Sequence, residues 1–67
     1  MTTLQSIKET INRKLNKTVT HSKSIEISPA INCHIFGENN EIRFFDLSFG
    51  NYELIDVSTN KHLKGTF

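Results

Sequence analysis

Residues 41–58 constrain the fold most, because they contain two apolar segments that meet at Gly50-Asn51. Neighbouring side chains on a strand point to opposite faces of a sheet. In the first segment both faces are apolar, with Phe45, Leu47 and Phe49 on one and Ile42 and Phe44 on the other. In the second segment one face carries Tyr52 and Leu54, and the opposite face carries Ile55 and Val57. A hairpin that is apolar on both faces has to be covered on both.

One amphipathic helix is predicted ahead of this hairpin. Apolar residues recur at helical spacing, at Leu4, Ile7, Ile11 and Leu15, which predicts a helix over residues 3–16. Two pairs match the capping-box pattern at its start, Thr2 with Gln5 and Ser6 with Glu9. The helix can bury its apolar stripe only against the sheet.

Short strands are predicted on both sides of the central hairpin. Segments with alternating apolar and polar residues are 24–28, 31–36 and 62–67. Glycine and asparagine in residues 37–40 indicate a hairpin loop. The predicted fold is α+β, a single domain over residues 1–67 in which one N-terminal amphipathic helix packs on a four- or five-stranded antiparallel β-meander.

A single helix covers one face of such a sheet and leaves the other bare. Three explanations remain open for the second apolar face. A β-bulge can change which face is buried partway along a strand. The sheet can curl into a half-barrel, or the face can bind a second copy or another partner.

The residues able to hold a metal ion are scattered. Three histidines, His21, His34 and His62, fall on different predicted elements, and neither a Cys-x-x-Cys nor a His-x-x-x-His motif occurs. The lone cysteine, Cys33, is adjacent to His34, and adjacent side chains on a strand point to opposite faces. We therefore expect no metal and no cofactor.

A carboxylate pair is the other route to catalysis. A turn at Gly50-Asn51 would place Asp46 opposite Asp56 across the hairpin. Like charges in that position destabilise a sheet, and one helix on one sheet seldom encloses a substrate pocket. We expect no enzyme activity and no small-molecule substrate.

Charge and composition favour binding to another macromolecule. Residues 1–30 hold five basic and two acidic side chains, whereas residues 31–67 hold three basic and five acidic ones. One cysteine and no apparent secretory leader favour a cytoplasmic location, and no apolar run approaches the roughly 20 residues that span a bilayer. Eight isoleucines, seven asparagines and six lysines indicate A/T-rich codons, which are typical of low-GC bacteria and their phages.

The preferred hypothesis is a small non-catalytic protein–protein interaction module. It would act as a homodimer, or as a phage-encoded or mobile-element-encoded inhibitor or regulator that binds a host protein. The predicted partner-binding residues are Ile42, Phe44, Glu53, Ile55 and Val57, with Glu41 and Asp56 completing an acidic rim. The alternative is a small nucleic-acid-binding protein that uses the basic end of the helix and the following loop, through Arg13, Lys14, Lys17 and Lys23.

Overall fold

The structure is a computed structural model, and it describes residues 3–67 of the chain. In this part of the chain one α-helix precedes five strands, which form one antiparallel sheet in the order β1-β2-β3-β4-β5. The elements are α1 (Leu4–Leu15), β1 (His21–Ser28), β2 (Ile31–Phe36), β3 (Ile42–Asp46), β4 (Asn51–Asp56) and β5 (Lys61–Thr66). The predicted α+β fold, with one helix on an antiparallel meander, is confirmed.

Thr3 caps the start of the helix, and Asn16 caps its end. The Thr3 hydroxyl accepts a hydrogen bond from the Ser6 backbone N–H at 3.1 Å, and the Ser6 hydroxyl accepts one from the Thr3 N–H at 3.2 Å. These two residues form the capping box, so the prediction that Ser6 pairs with Glu9 is wrong. The predicted box of Thr2 with Gln5 lies outside the described residues. Asn16 adopts a left-handed conformation, with φ of 56°, that closes the last turn.

The core lies between the helix and one side of the sheet, here called the covered face. Two helix residues, Ile7 and Ile11, pack against five buried sheet residues, Phe36, Ile42, Phe44, Tyr52 and Leu54. Each large apolar side chain buried in this way stabilises the fold by about 1.5–3 kcal/mol. At one end of the core, the ring of Phe67 lies 5.1 Å from the ring of Tyr52.

The register of β3 with β4 decides which side chains share the covered face. Phe44 lies opposite Leu54, and Ile42 lies opposite Asp56. The predicted turn at Gly50-Asn51 is wrong, because β3 ends at Asp46 and residues 47–50 form a longer connection. Ile42 and Phe44 consequently face the helix together with Tyr52 and Leu54, and do not share a face with Ile55 and Val57.

The edge strand β1 is longer and less regular than predicted. It starts at His21 and not near Ser24, and its pairing with β2 shifts register between His21 and Lys23 and again between Glu26 and Ser28. Such bulges twist an edge strand and make it a poorer template for pairing with another sheet. In β3 and β4 the register is continuous, so these bulges do not bury the second face of the central hairpin.

Candidate functional site

The side of the sheet away from α1, here called the open face, carries both apolar and charged side chains. Ile25 of β1 lies opposite Cys33 of β2, which in turn lies opposite Phe45 of β3. Ile35 lies opposite Arg43, which lies opposite Ile55 on β4. Alternation along each strand places these side chains opposite to the ones that contact the helix.

The exposed apolar area of the open face lies mainly on β1. Ile25 is 45% exposed and Ile27 is 54% exposed, whereas Cys33 and Ile35 are nearly covered by their neighbours on the same face. A shallow depression of about 310 Å³ runs between these strands, lined by Ile25, Ile27, Cys33, Ile35, Arg43 and Phe45. A contiguous apolar patch of this kind, on a protein of 67 residues, is typical of a binding surface.

The open face continues into a larger groove at one end of the sheet. This groove, of about 510 Å³, lies between the β1–β2 turn and the β3–β4 connection. Its apolar wall includes Ile31 and Leu47, and its polar wall includes Glu53 and Lys64, which lie opposite each other on β4 and β5. The groove therefore extends the apolar surface toward the end of the sheet and adds a carboxylate and an ammonium group to it.

Charges on the open face are of both signs, with an excess of cations. Lys23 lies opposite Ile35, Arg43 lies beside Ile55, and Lys64 lies opposite Glu53. The predicted acidic rim is not formed, because Asp56 is 1% exposed and lies on the covered face. This surface would therefore not steer toward a basic partner.

The five residues predicted to bind a partner do not form one surface. Ile42 and Phe44 are fully buried under the helix, because the β3–β4 register differs from the one that a turn at Gly50-Asn51 would impose. Glu53 and Ile55 lie on the open side of β4, and Val57, which directly follows the strand, is 52% exposed. The sequence argument therefore found the β4 residues of the open face and misplaced the two from β3.

Ile25, Ile35 and Phe45 were missed as candidates for the same surface. The signal was present in residues 31–36, where Ile31, Cys33 and Ile35 alternate on one side of a strand. The sequence does not show which side of β2 the helix covers, so this apolar row could not be assigned to the open or to the covered face.

The basic residues of the nucleic-acid alternative are also divided. Arg13 and Lys14 are exposed in the last turn of α1. The ammonium group of Lys17 lies 2.6 Å from Oδ2 of Asp56 and is engaged in that ion pair. Lys23 lies on the open face, on the far side of the sheet from the helix. These four side chains do not form a single basic surface.

Asp46 and Asp56 are not placed opposite each other. Asp46 pairs with Tyr52, and Asp56 pairs with Ile42 at the other end of the two strands. The carboxylate pair that was considered and not favoured from the sequence is therefore not formed, because the β3–β4 register differs from that of a turn at Gly50-Asn51. Burial by itself raises the pKa of the Asp56 carboxyl, but hydrogen bonds from Lys17 and Ser58 and the Lys17 charge outweigh it, and the pKa falls to about 2.

A polar cluster that the sequence did not indicate joins β1 to β2. The Ser24 hydroxyl lies 2.8 Å from Nε2 of His21 and 2.7 Å from Nδ1 of His34. Burial lowers the pKa of His34, the carboxylate of Asp46 opposes this change, and His21 adds to it. A hydroxyl can donate to one imidazole and accept from the other, so this cluster links the edge strand to its neighbour.

The described part of the molecule shows neither a metal-binding cluster nor a membrane-spanning helix. Among residues 3–67, no three or more histidine, cysteine or acidic side chains are grouped so that they could hold a metal ion. Within the same range, no helix has the length and apolar character needed to cross a membrane. No family model, curated protein or solved structure matches the chain.

Proposed function

We propose that the chain is a non-catalytic protein-binding module whose open face contacts its partner. The observation that supports this proposal is that apolar side chains lie on both sides of the sheet, and the helix covers one of them. Covering the exposed parts of Ile25 and Ile27 would contribute on the order of 1 kcal/mol for each side chain. The apolar centre and the charged residues around it match the usual anatomy of a protein interface.

The chemistry of the open face favours a protein over a nucleic acid. Sheets that bind single strands present several flat aromatic rings, on which bases stack. Phe45 contributes one aromatic ring to the centre of the open face, whereas Ile25, Ile35 and Ile55 on the same face are branched aliphatics. Branched aliphatic side chains offer bases no stacking platform, whereas they pack well against other apolar side chains.

The proposal includes an intracellular setting. Cys33 is a free, buried thiol, which suits a reducing compartment. The proposed role is that of a regulator or inhibitor, which acts by binding a host protein through the open face.

A site-specific photocrosslinker tests the proposal. Benzoylphenylalanine is placed at Ile55 on the open face and, as a matched control, at Glu9, which is exposed on the outer side of α1. We expect a discrete protein adduct from position 55 in cells that express the chain, and its loss when Ile25→Asp is added. Equal adduct patterns from the two positions, or a position 55 adduct that survives Ile25→Asp, would overturn the proposal.

A binding titration with single-stranded and duplex oligonucleotides tests the alternative function, which is nucleic-acid binding by the basic end of the helix. The proposal predicts weak binding that does not change when Arg13 and Lys14 are both replaced by glutamate. Tight binding with a steep salt dependence, abolished by that double replacement and unaffected by Phe45→Asp, would favour the nucleic-acid function instead.

A further inference from the structure

We infer that the outer edge of β5 binds an extended acidic segment of a partner protein, which adds to the sheet as a sixth strand antiparallel to β5. This surface is the edge of the sheet and not its open face, so the inference goes beyond the proposed function. Three properties of the edge support it: the regularity of β5, the direction of its backbone groups, and the side chains along it.

The two edges of the sheet differ in regularity. At one edge, the pairing of β1 with β2 shifts register twice. At the other edge, all residues of β5, from Lys61 to Thr66, pair with β4 without a shift. Among residues 3–67, no strand lies on the outer side of β5. Bulges make β1 a poor template for a further strand, whereas the continuous backbone of β5 is a good one.

Alternate residues of β5 direct their backbone groups away from β4. Directly after the strand, the N–H of Phe67 donates to the carbonyl of Gly50 at 2.8 Å. In an antiparallel pair, residues that bond to a given neighbour alternate with residues that do not. The odd-numbered residues of β5 therefore bond to β4, and the N–H and C=O groups of His62, Lys64 and Thr66 point outward. A strand placed beside β5 can hydrogen-bond to these groups.

The charges along this edge favour an acidic segment. β5 contains two lysines and no acidic residue, and Lys61, His62 and Lys64 are exposed. His62 and Lys64 lie on the open face, opposite Ile55 and Glu53. In antiparallel addition, the residue opposite an outward-bonding residue of β5 is bonded to it and shares its face. Acidic side chains of the segment would therefore lie beside His62 and Lys64, and Lys64 would have a carboxylate on each side.

The core reaches the same edge on the covered face. Leu63 packs against the core but is only partly buried, and Phe67 is 52% exposed although its ring lies 5.7 Å from that of Phe44. At Gly65, the side chain of Tyr52 occupies the space that a β-carbon would need. Apolar side chains opposite Leu63 and Gly65 would cover this end of the core. The expected segment therefore alternates acidic and apolar residues, with the acids on the open face.

The lysines argue against a second copy of the chain at this edge. If the β5 strands of two copies paired about a two-fold axis, Lys64 would lie opposite Lys64 or His62 of the second copy in the registers that overlap most. Like charges directly opposite each other destabilise a sheet, whereas opposite charges stabilise it. Lysines on edge strands commonly prevent pairing between identical sheets, and here the same side chains would attract an acidic strand.

Backbone-methylated peptides test this geometry. The probe is a peptide of alternating glutamate and valine, about as long as β5 and blocked at both ends, titrated into the full chain and followed by NMR. Methylation of the glutamate N–H groups, which should bond to β5, is expected to weaken binding by roughly tenfold or more. Methylation of the valine N–H groups, which should point away from β5, should change the dissociation constant by less than about twofold.

Amide hydrogen exchange shows which groups of the protein are bonded. The N–H groups of His62, Lys64 and Thr66 should exchange fast in the free chain and become protected when the probe binds. Those of Leu63 and Gly65 should be protected in both states. Equal effects of the two methylation patterns, the reverse order of effects, or no binding at millimolar peptide would overturn antiparallel strand addition. Protection that rises with protein concentration in the absence of peptide would overturn it in favour of a second copy.

Charge reversal at Lys64 tests the preference for acids. Lys64→Glu should bind the glutamate peptide roughly tenfold more weakly or worse, and should bind a matched lysine–valine peptide more tightly than the unmodified chain does. Lys14→Glu makes the same change of charge at an exposed position of α1 and should alter binding little. Lys64→Gln, which places no second carboxylate beside Glu53, should show a smaller loss. Equal binding of the glutamate peptide by the Lys64 and Lys14 variants would overturn the preference.

Two controls separate this inference from the proposed function. Circular dichroism melts verify that each variant is folded. Ile25→Asp, which lies on the open face at the opposite edge of the sheet, should leave peptide binding unchanged while it removes the adduct from position 55. Loss of peptide binding in Ile25→Asp would show that the peptide lies on the open face, and would overturn its placement at the β5 edge.

Discussion

The ammonium group of Lys17 lies 2.6 Å from Oδ2 of Asp56, and the Asp56 side chain is 1% exposed. The other carboxylate oxygen, Oδ1, accepts hydrogen bonds from the backbone N–H of Ser58 at 3.1 Å and from its hydroxyl at 2.6 Å. Asp56 is thus a buried charge whose two oxygens are both bonded, and it joins the segment after α1 to the end of β4. A buried charge supported in this way is costly to disturb from either side.

Replacement of Lys17 by methionine should lower the free energy of unfolding by about 2 kcal/mol, because it leaves the Asp56 carboxylate buried without its counter-ion. This figure lies below the usual cost of breaking a buried pair, since the Lys17 side chain is 38% exposed and solvent weakens the interaction. Urea unfolding at pH 7 measures it. Lys14→Met, at an exposed position in the last turn of α1, is the control and should change little. Equal stabilities of the two variants would contradict the prediction.

The stability of the protein should fall steeply in acid because of Asp56. Its pKa is lowered from 3.8 to about 2, so the folded state favours the charged form, and the stabilisation is fully present above pH 3.8. It is lost as the pH falls through about 2, and the difference corresponds to about 2 kcal/mol. Urea unfolding at pH 5, 4, 3 and 2 should show this loss. Asp56→Asn should be less stable than the unmodified protein at pH 5 and should lose less stability between pH 5 and pH 2. Parallel pH profiles of the two proteins would show that Asp56 does not cause the loss of stability in acid.

His34 should titrate below its ordinary value of 6.5, since burial is the largest cause of its lowered pKa and outweighs the nearby carboxylate of Asp46. The folded state then binds fewer protons than the unfolded state, so the contribution of His34 to stability is complete above pH 6.5 and declines as the pH falls below it. The NMR chemical shift of the imidazole Hε1 proton measures the midpoint. Ser24→Ala should change that midpoint, because it removes the hydroxyl 2.7 Å from Nδ1. A midpoint at or above 6.5 would show that the cluster holds the charged imidazole.

Phe49→Gly should stabilise the protein by about 0.5–1 kcal/mol. Phe49 has φ of 60° and is 98% exposed, so the ring contributes little packing while its backbone occupies a left-handed conformation that favours glycine. Glycine also loses more entropy on folding, which limits the gain. Urea unfolding measures the change, and Asn40→Gly is the control at φ of 55°, because asparagine already tolerates that conformation. A loss of stability in Phe49→Gly would show that the ring makes a contact that stabilises the fold.

The turns show where local sequence information was sufficient and where it was not. Gly37 and Asn40 both have positive φ, as the predicted hairpin loop over residues 37–40 requires. At the next connection, Gly50 and Asn51 form a favourable turn dipeptide, yet the chain turns earlier, with Leu47 donating its N–H to the carbonyl of Asn51 at 2.9 Å. The earlier turn allows Phe44 to lie opposite Leu54 under the helix, and the burial of those side chains stabilises the fold by more than the strain at Phe49 costs.

The sequence alone is enough to predict the element types, because the spacing of Ile7 and Ile11 and the alternation in residues 31–36 depend only on local geometry. It also showed that the central hairpin is apolar on two sides. Which of these sides is open depends on the three-dimensional packing, because a shift of one residue in strand register exchanges the two faces. Register depends on packing between segments distant in the chain, which is why Ile42 was predicted in an interface and lies in the core, while Ile25 lies on the open face.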